Sequence, residues 1–330
     1  MTGKTPPLAV TVIVCCYNAE GTIAETLRSL QDQTWPPQEI LVIDDGSRDR
    51  SIEVVTCLKA ADERIRIITT RPNRGTAFSR QLGLDEARTA AVMFLDADDL
   101  ADPRLLEMQG RVLAGNPDLL GVGCHAHYFD DTAGRGNLGL QRVGPEDRET
   151  ALTQYRNGKL TFMPPATMFW KGDAQAVGGY RTRILQNDEA IRYEDFAEDL
   201  DLWCRMSDLG AEGRYFLTLA EPLFRYRKPP GSLSTRNLHL MQLKMRWIKD
   251  CLSRRRAGKA ERSLAEFIES RSPAERFHDW RSDKAAGFYK AAGFSYASRR
   301  YLRLGLLLTL AAITSPKLIR QKLKTQTVRR

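Results

Sequence analysis

The sequence predicts an α/β protein, a mostly parallel sheet flanked by helices, followed by a basic helical C-terminal region. Three observations carry this. Strand-like and helix-like patterns alternate over the first hundred residues. The strand-like runs are apolar throughout, as in strands covered on both faces. Beyond residue 235 the patterns become helical and rich in Lys and Arg. A chain of 330 residues has room for one large domain with an extension, or for two.

Taken in order, LAVTVIVCCYN (8–18) reads as the first strand. Thr22-Ile-Ala-Glu25 is a capping-box pattern opening a helix with Ile23, Leu27 and Leu30 at helical spacing. EILVIDDGS (39–47) is a second strand, Ser51 a cap for IEVVTCLKAAD, and RIRIITT (64–70) a third strand. GTAFSRQLGLDEARTA (75–90) is a helix and VMFLDADD (92–99) the fourth strand, with a further helix after Asp102-Pro103. LLGVGCHAHYFD (119–130) returns to strand, TAGRGNLGL (132–140) to a mobile loop, and FMPPATMFW (162–170) is extended around its prolines. AEDLDLWCRMSDLG (197–210) is a helix with Leu202, Met206 and Leu209 on one face and Gly210 as its stop. YFLTLAEPLFRYR (215–227) is a strand, and KPPGSLST (228–235) a ligand-shaped or mobile loop. The expected cut is 1–235 for the body, divided into 8–100 and 101–235, with 236–330 as the extension.

Charge divides the chain the same way. Residues 225–330 hold 26 Lys and Arg against 7 Asp and Glu, a net +19, whereas residues 1–224 hold 24 against 34, a net −10. Such a tail is either a solvated helical face or a contact for an anionic membrane surface or lipid-linked phosphate. It carries no nucleic-acid module, so no nucleic-acid partner is expected. LGLLLTLAAI (304–313) is the most apolar stretch, but its ten residues fall short of the ~20 that span a bilayer. With cations on both sides it reads equally as an interfacial helix or a core helix. MTGKTPPLAV lacks the pattern of a signal peptide, and Cys15, Cys16, Cys57, Cys124, Cys204 and Cys251 form no C-x-x-C pair. Reduced thiols in a cytoplasmic protein are the expectation.

In a parallel sheet the ligand site lies beyond the carboxyl ends of the strands. Tyr17-Asn18, Asp44-Asp45-Gly46-Ser47 and Asp96-Ala97-Asp98-Asp99 all fall at such ends. Three carboxylates in four positions raise one another's pKa unless a cation holds them. A D-x-D at a strand end suits Mg²⁺ or Mn²⁺, held by one or two carboxylates with substrate phosphates filling the shell. The bland alternative is a solvated acidic turn. A second cluster, Glu198-Asp199-x-Asp201, matches the dipole of a helix start or supplies a general base. Spacing leaves both readings open.

VTVIVCCYNAE, ILVIDDGSRDRS, NRGTAFSRQLG, VMFLDADD, GGY and AEDLDLW together resemble, in order and spacing, the family 2 glycosyltransferases, nucleotide-sugar-dependent enzymes of GT-A fold with a Rossmann-type sheet. The resemblance covers residues 8–235. It implies that Tyr17 stacks on the nucleotide base and that Asp45 recognises that base. Asn73, Gly75 and Arg80 lie beside the nucleotide. Asp96 serves the ribose, Asp98 the diphosphate-bound metal, and Asp99 shares that metal. Asp199 deprotonates the acceptor hydroxyl in a single inverting displacement, with Glu194-Asp195 as the rival pair. It further implies a Mg²⁺ or Mn²⁺ cofactor, a UDP-, dTDP- or GDP-sugar donor, and a glycan or lipid-linked acceptor. The setting implied is assembly of a bacterial surface polysaccharide or glycoconjugate, in the cytoplasm or peripheral on the inner face of the membrane.

Other patterns point elsewhere and are weaker. Gly121-Val-Gly123-Cys-His-Ala126 matches a dinucleotide fingerprint but continues as strand instead of opening a helix. His125 and His127 share a strand face without a third ligand nearby. Gln242-Leu-Lys-Met-Arg246-Trp247 is one residue too long for the Q-x-x-R-W of processive synthases in the family and reads as a helix face. A nucleotidyltransferase would carry a Gly- and Lys/Arg-rich phosphate loop after the first strand, which CCYNAEGT is not. A non-catalytic scaffold on the same fold is the other rival.

Overall fold

The computed structural model describes residues 7–129, 137–184, 192–227, 237–297, 300–316 and 319. The chain forms two compact units, one of residues 1–232 and 248–261, the other of residues 233–247 and 262–330.

The first unit is built on one sheet. Its N-terminal half contains β1 (Val10–Cys16), β2 (Glu39–Asp44), β3 (Ile65–Thr69) and β4 (Ala91–Asp96), joined by α1 (Ile23–Gln31), α2 (Ser51–Lys59) and α3 (Thr76–Glu86). These strands lie in the order β3-β2-β1-β4, every pair parallel. The apolar runs explain the layering. Val10, Val12 and Val14 face Leu27 and Leu30 of α1 and Val55 of α2, while Ile13, Leu41 and Ile43 pack with Leu84 of α3 on the other side. Gly83 lets α3 lie close on β1, since a Cβ there would stand 2.4 Å from the Ile13 side chain.

The second half contains β5 (Leu100–Ala101), α4 (Leu105–Ala114), β6 (Leu119–Phe129), β7 (Asn137–Gln141), α5 (Arg148–Arg156), β8 (Met168–Trp170), α6 (Lys171–Ala176), α7 (Glu198–Met206) and β9 (Tyr215–Arg227). The α/β class holds, but the parallel arrangement stops at β4. β8 lies antiparallel to both β4 and β6, β6 and β9 are parallel, and β5 and β7 add antiparallel edges.

Several local expectations are corrected. The Thr22 hydroxyl turns back to the Ala19 carbonyl and Glu25 pairs with Arg227 at 2.9 Å, so the capping box does not form among the described residues. Ser51 is the first residue of α2 instead of its cap. Its hydroxyl donates to Asp49 and accepts from the Ala19 amide at 2.8 Å, tying two loops together. Residues 137–140, read as loop, belong to β7, and 132–136 lie outside the described residues, as does the loop at 228–235. α7 ends at Met206, and Leu209 and Gly210 fall in a following 3₁₀ turn.

The division into units differs from a single cut at 235/236 because Ile248–Glu261 belongs to the body. Cys251 and Leu252 are buried, and Arg255 and Arg256 both bond the Asp208 carboxylate, at 2.7 and 2.8 Å.

The second unit contains the earlier turns of α8 (Leu238–Arg256), then α9 (Leu264–Glu269), α10 (Pro273–Ala297) and α11 (Tyr301–Thr314). Here Arg246 pairs with Asp279 at 3.2 Å and with Asp283, and Trp247 donates to the Arg262 carbonyl at 2.8 Å. These two residues therefore serve helix packing.

α7 is anchored by a buried ion pair. The Asp201 carboxylate, 2% exposed, accepts from Arg205 at 2.8 and 3.0 Å, and Arg205 also donates to the Val177 and Gly179 carbonyls at 2.7 and 2.6 Å. Asp201→Ala strands that guanidinium, and loss of one partner of a buried pair costs roughly 3–5 kcal/mol. The expected result is a urea midpoint lowered accordingly with an unchanged denaturant slope.

Candidate active site

Parallel register sets the polar strand ends side by side, with Cys15 of β1 opposite Asp96 of β4 and Cys16 opposite Asp44 of β2. The loops that follow β1 and β2 clasp each other. The Asn18 amide donates to the Ser47 hydroxyl at 3.0 Å, and the Arg48 amide donates to the Asn18 side chain at 2.9 Å. The Glu20 carboxylate accepts from the Arg50 amide at 2.9 Å, while Asp49 accepts from the Glu20 amide at 3.0 Å. Asn18 takes a left-handed backbone (φ 49°), which leaves Tyr17 at the tip with 49% of its surface exposed. An aromatic ring presented this way offers a face for stacking.

Asp45, buried at the end of β2, organises the loop before α3. Its carboxylate accepts from Thr70 Oγ1 at 2.8 Å and from the backbone amides of Arg74 and Gly75 at 2.8 and 2.7 Å. The Asn73 side chain closes the ring onto the Asp45 carbonyl at 3.0 Å. Gly75 has φ 96°, and a Cβ on it would lie 2.3 Å from the Asp195 carboxylate. That carboxylate accepts from the Ala77 amide in the first turn of α3 at 2.9 Å. Arg192 grips Asn73 twice, at its side-chain and main-chain oxygens, at 2.6 and 2.7 Å. The stretch just before α7 is therefore bonded to the loop carrying Asn73 and Gly75. Sequence reading did not foresee this, because no spacing pattern announces a partner more than a hundred residues away.

Arg80, on α3, joins the two acidic clusters. Its guanidinium lies 3.1 Å from Asp96 at the end of β4 and 3.2 Å from Glu198 at the start of α7. Against the cost of burial, Glu198 and Asp96 hold its pKa well above the ordinary arginine value. Asp96, Arg80 and Asp199 line one cleft with Pro165, Thr167 and Trp203. Trp203 forms its wall, packed edge-on against Phe169 and Phe216 at 4.9 and 5.4 Å. Two more non-glycine residues in the left-handed region shape this cleft: Ala166 (φ 56°) on its lining, and Ala197 (φ 50°) directly before Glu198-Asp199. Together with Asn18, all three such strained positions among the described residues border the strand-end site. Strain of this kind persists where surrounding structure enforces it.

The rival acidic pairs take different places. Asp199 lines the cleft with Asp96, whereas Asp195 sits on the first turn of α3.

Asp98 and Asp99 complete the fourth strand end. Arg227, at the end of β9, donates its amide to Asp99 at 2.8 Å and its Nε to the Asp98 carbonyl at 2.8 Å. Burial, reinforced by Asp96, pushes the Asp98 carboxyl up to about 6. Asp99 is fully buried, one of its oxygens has no hydrogen-bond partner among the described residues, and burial with the neighbouring acids drives its carboxyl well above the usual range. Carboxylates crowded and desolvated this way match the needs of a hard divalent cation. No set of three His, Cys, Asp or Glu side chains converges among the described residues, so such a cation would draw further oxygens from a diphosphate. His125 is buried, 3.2 Å from Glu146.

The mixed sheet flanked by helices has the fold of GT-A glycosyltransferase structures. The family model for glycosyl transferase family 2 matches residues 11–174. An uncharacterized glycosyltransferase of Haemophilus influenzae is 28% identical over 227 residues, 66% of this chain and 65% of its own. A putative teichuronic acid biosynthesis glycosyltransferase of Bacillus subtilis, TuaG, is 36% identical over 100 residues, 30% of this chain and 40% of its own. The match thus spans less than two thirds of either relative's length. The crystal structure of S. aureus TarS 1–349 in complex with UDP-GlcNAc superposes with a TM-score of 0.53 at 15% identity, covering 92% of this chain and 91% of that one, which shows a common fold. The chain thus carries a glycosyl transferase family 2 domain over residues 11–174.

Proposed function

We propose that the protein transfers a sugar from a nucleotide-diphosphate sugar to a hydroxyl of a glycan or lipid-linked acceptor, with inversion and with the help of Mg²⁺ or Mn²⁺. The setting is assembly of a cell-surface polysaccharide or glycoconjugate, in the cytoplasm at the inner face of the cell membrane. The observation that carries this reading is the single cleft in which Asp96 and Asp199 meet across Arg80. The teichuronic acid relative and the UDP-GlcNAc complex of the S. aureus neighbour support the setting and the donor class.

The resemblance supplies the roles, and the positions support them. Tyr17 offers its exposed ring to the base, and Asp45 offers an oxygen that still has an open lone pair to a base N–H. Asn73 and Gly75 hold the loop that frames Asp45, and Arg80 fixes Asp96 toward the ribose. Asp98, with Asp99 behind it, would hold the cation, which supplies charge neutralisation on the leaving diphosphate. Asp199 takes the proton as the acceptor oxygen bonds to the anomeric carbon and the bond from that carbon to the diphosphate oxygen breaks. One base and no enzyme nucleophile suffice, because the donor brings its own leaving group.

The test is thermal stabilisation by UDP, dTDP and GDP, each with and without Mn²⁺. A ligand at about 100 times its dissociation constant adds roughly 2.7 kcal/mol. One nucleotide is expected to raise the melting temperature, and more so with Mn²⁺. Failure of all three overturns the donor reading.

A further inference from the structure

We propose that the outward face of α11 is the surface by which this protein seats on an anionic lipid bilayer, with the helix lying in the interface plane. The proposal names the surface that the membrane setting requires; it rests on that setting but not on the chemistry of the cleft.

α11 is apolar on two faces, and among the described residues only one of them is packed. Leu304, Leu307 and Ala311 turn inward, half-buried or buried, along the side where α11 pairs with α10. Leu302, Leu306 and Ile313 follow a second stripe at helical spacing and are 95%, 61% and 69% exposed. A helix that is apolar all round belongs either in a core or in lipid. With 14 residues it is about 21 Å long, short of the ~30 Å of a hydrocarbon core. Among the described residues, no helix is long and apolar enough to cross a membrane. An apolar face on a short helix fits embedding in the interface.

The surroundings favour anionic lipid over other occupants. Arg300 and Arg303 open the helix, both exposed. The sequence contains no Asp or Glu after Asp283, against eleven Lys and Arg. Arg281 donates to the Thr314 carbonyl at 3.0 Å, so the start of α10 meets the end of α11 and the two form an antiparallel hairpin. Exposed aromatics stand at both ends of it: Tyr296 and Tyr301 at one, and the stacked pair Phe277 and Trp280, 5.9 Å apart, at the other. Tyr and Trp are favoured at the headgroup level. A second copy of the chain would bring cations against cations, and a nucleic acid would leave the leucines in water.

The experiment is co-sedimentation of the full chain with phosphatidylcholine vesicles, with and without phosphatidylglycerol. It compares the wild type, a Leu302→Ala/Leu306→Ala/Ile313→Ala variant, and Leu306→Ala in case the triple variant fails to melt cooperatively. Binding is expected only with phosphatidylglycerol, and roughly tenfold weaker or worse in the triple variant. Three results overturn the proposal: no binding to anionic vesicles, binding indifferent to the apolar substitutions, or a wild-type dimer in light scattering that the triple variant loses. RNA displacing the vesicles with no change in the variants likewise overturns it. Nucleotide stabilisation measured on the same samples reports the cleft separately, so failure at the membrane is distinguishable from failure of the catalytic reading.

Discussion

Asp199→Asn is expected to lower the turnover of glycosyl transfer by about a thousandfold while leaving stabilisation by the donor nucleotide at its wild-type value. General-base contributions run at roughly 10²–10⁴-fold, and an amide of the same shape removes the proton acceptor while keeping the packing. Asp199 lines the cleft beside Asp96, and among the described residues its carboxylate accepts from the adjacent Leu200 amide at 2.7 Å. Asp201, two residues on, is the built-in contrast, because its Oδ2 accepts twice from Arg205 and lies 3.3 Å from the Arg181 guanidinium. The two variants should therefore separate cleanly: Asp199→Asn loses turnover at wild-type stability, and Asp201→Ala loses stability. Loss of turnover in Asp195→Asn with retention in Asp199→Asn would move the base to the rival pair and refute the assignment. A stopped assay of nucleotide diphosphate release, run beside thermal melts, distinguishes these outcomes.

The legible part of the fold was the part with repeating physics. Strands covered on both faces leave unbroken apolar runs, so β1 to β4 stood out, and their polar ends had to converge because parallel strands share one carboxyl edge. β5 has two residues and β8 three, too short for any period to register. α5 buries none of its residues fully, packs only Ala151 and Leu152 on the core and is capped by the Asp147 side chain accepting from the Thr150 amide, so no apolar stripe marked it. At the site, the residue types were readable but their partners were not. Glu198 reads from spacing either as a dipole-matching acid or as part of a base cluster, and nothing in the sequence places Arg80 3.2 Å from it. The Asp195 contact with the start of α3 joins segments that share no local pattern. The strain at Ala166 and Ala197 has no sequence signature either, since alanine carries no preference for that backbone.

Asp98→Ala is expected to abolish the Mn²⁺-dependent part of nucleotide stabilisation while leaving a smaller, metal-independent part. The metal-dependent part should vanish because Asp98 has the half-exposed carboxylate beside Asp96, whereas Asp99 is fully buried and already bonded to the Arg227 amide. The remainder should persist because Tyr17 and Asp45 lie on the other side of the site, on the β1 and β2 loops. A cation must displace the proton from Asp98, whose carboxyl stands at about 6. Above that pH the group is charged and ready; below it, apparent metal affinity should fall by up to about tenfold per pH unit, since ligands must be deprotonated to bind. Asp98→Asn, which keeps the volume but not the charge, should behave like Asp98→Ala. If either variant keeps full Mn²⁺ dependence, or if wild-type metal affinity is flat from pH 5 to pH 8, the cation is not held at Asp98. Asp98 and Asp99 would then serve only to bind β9 to the end of β4 through Arg227.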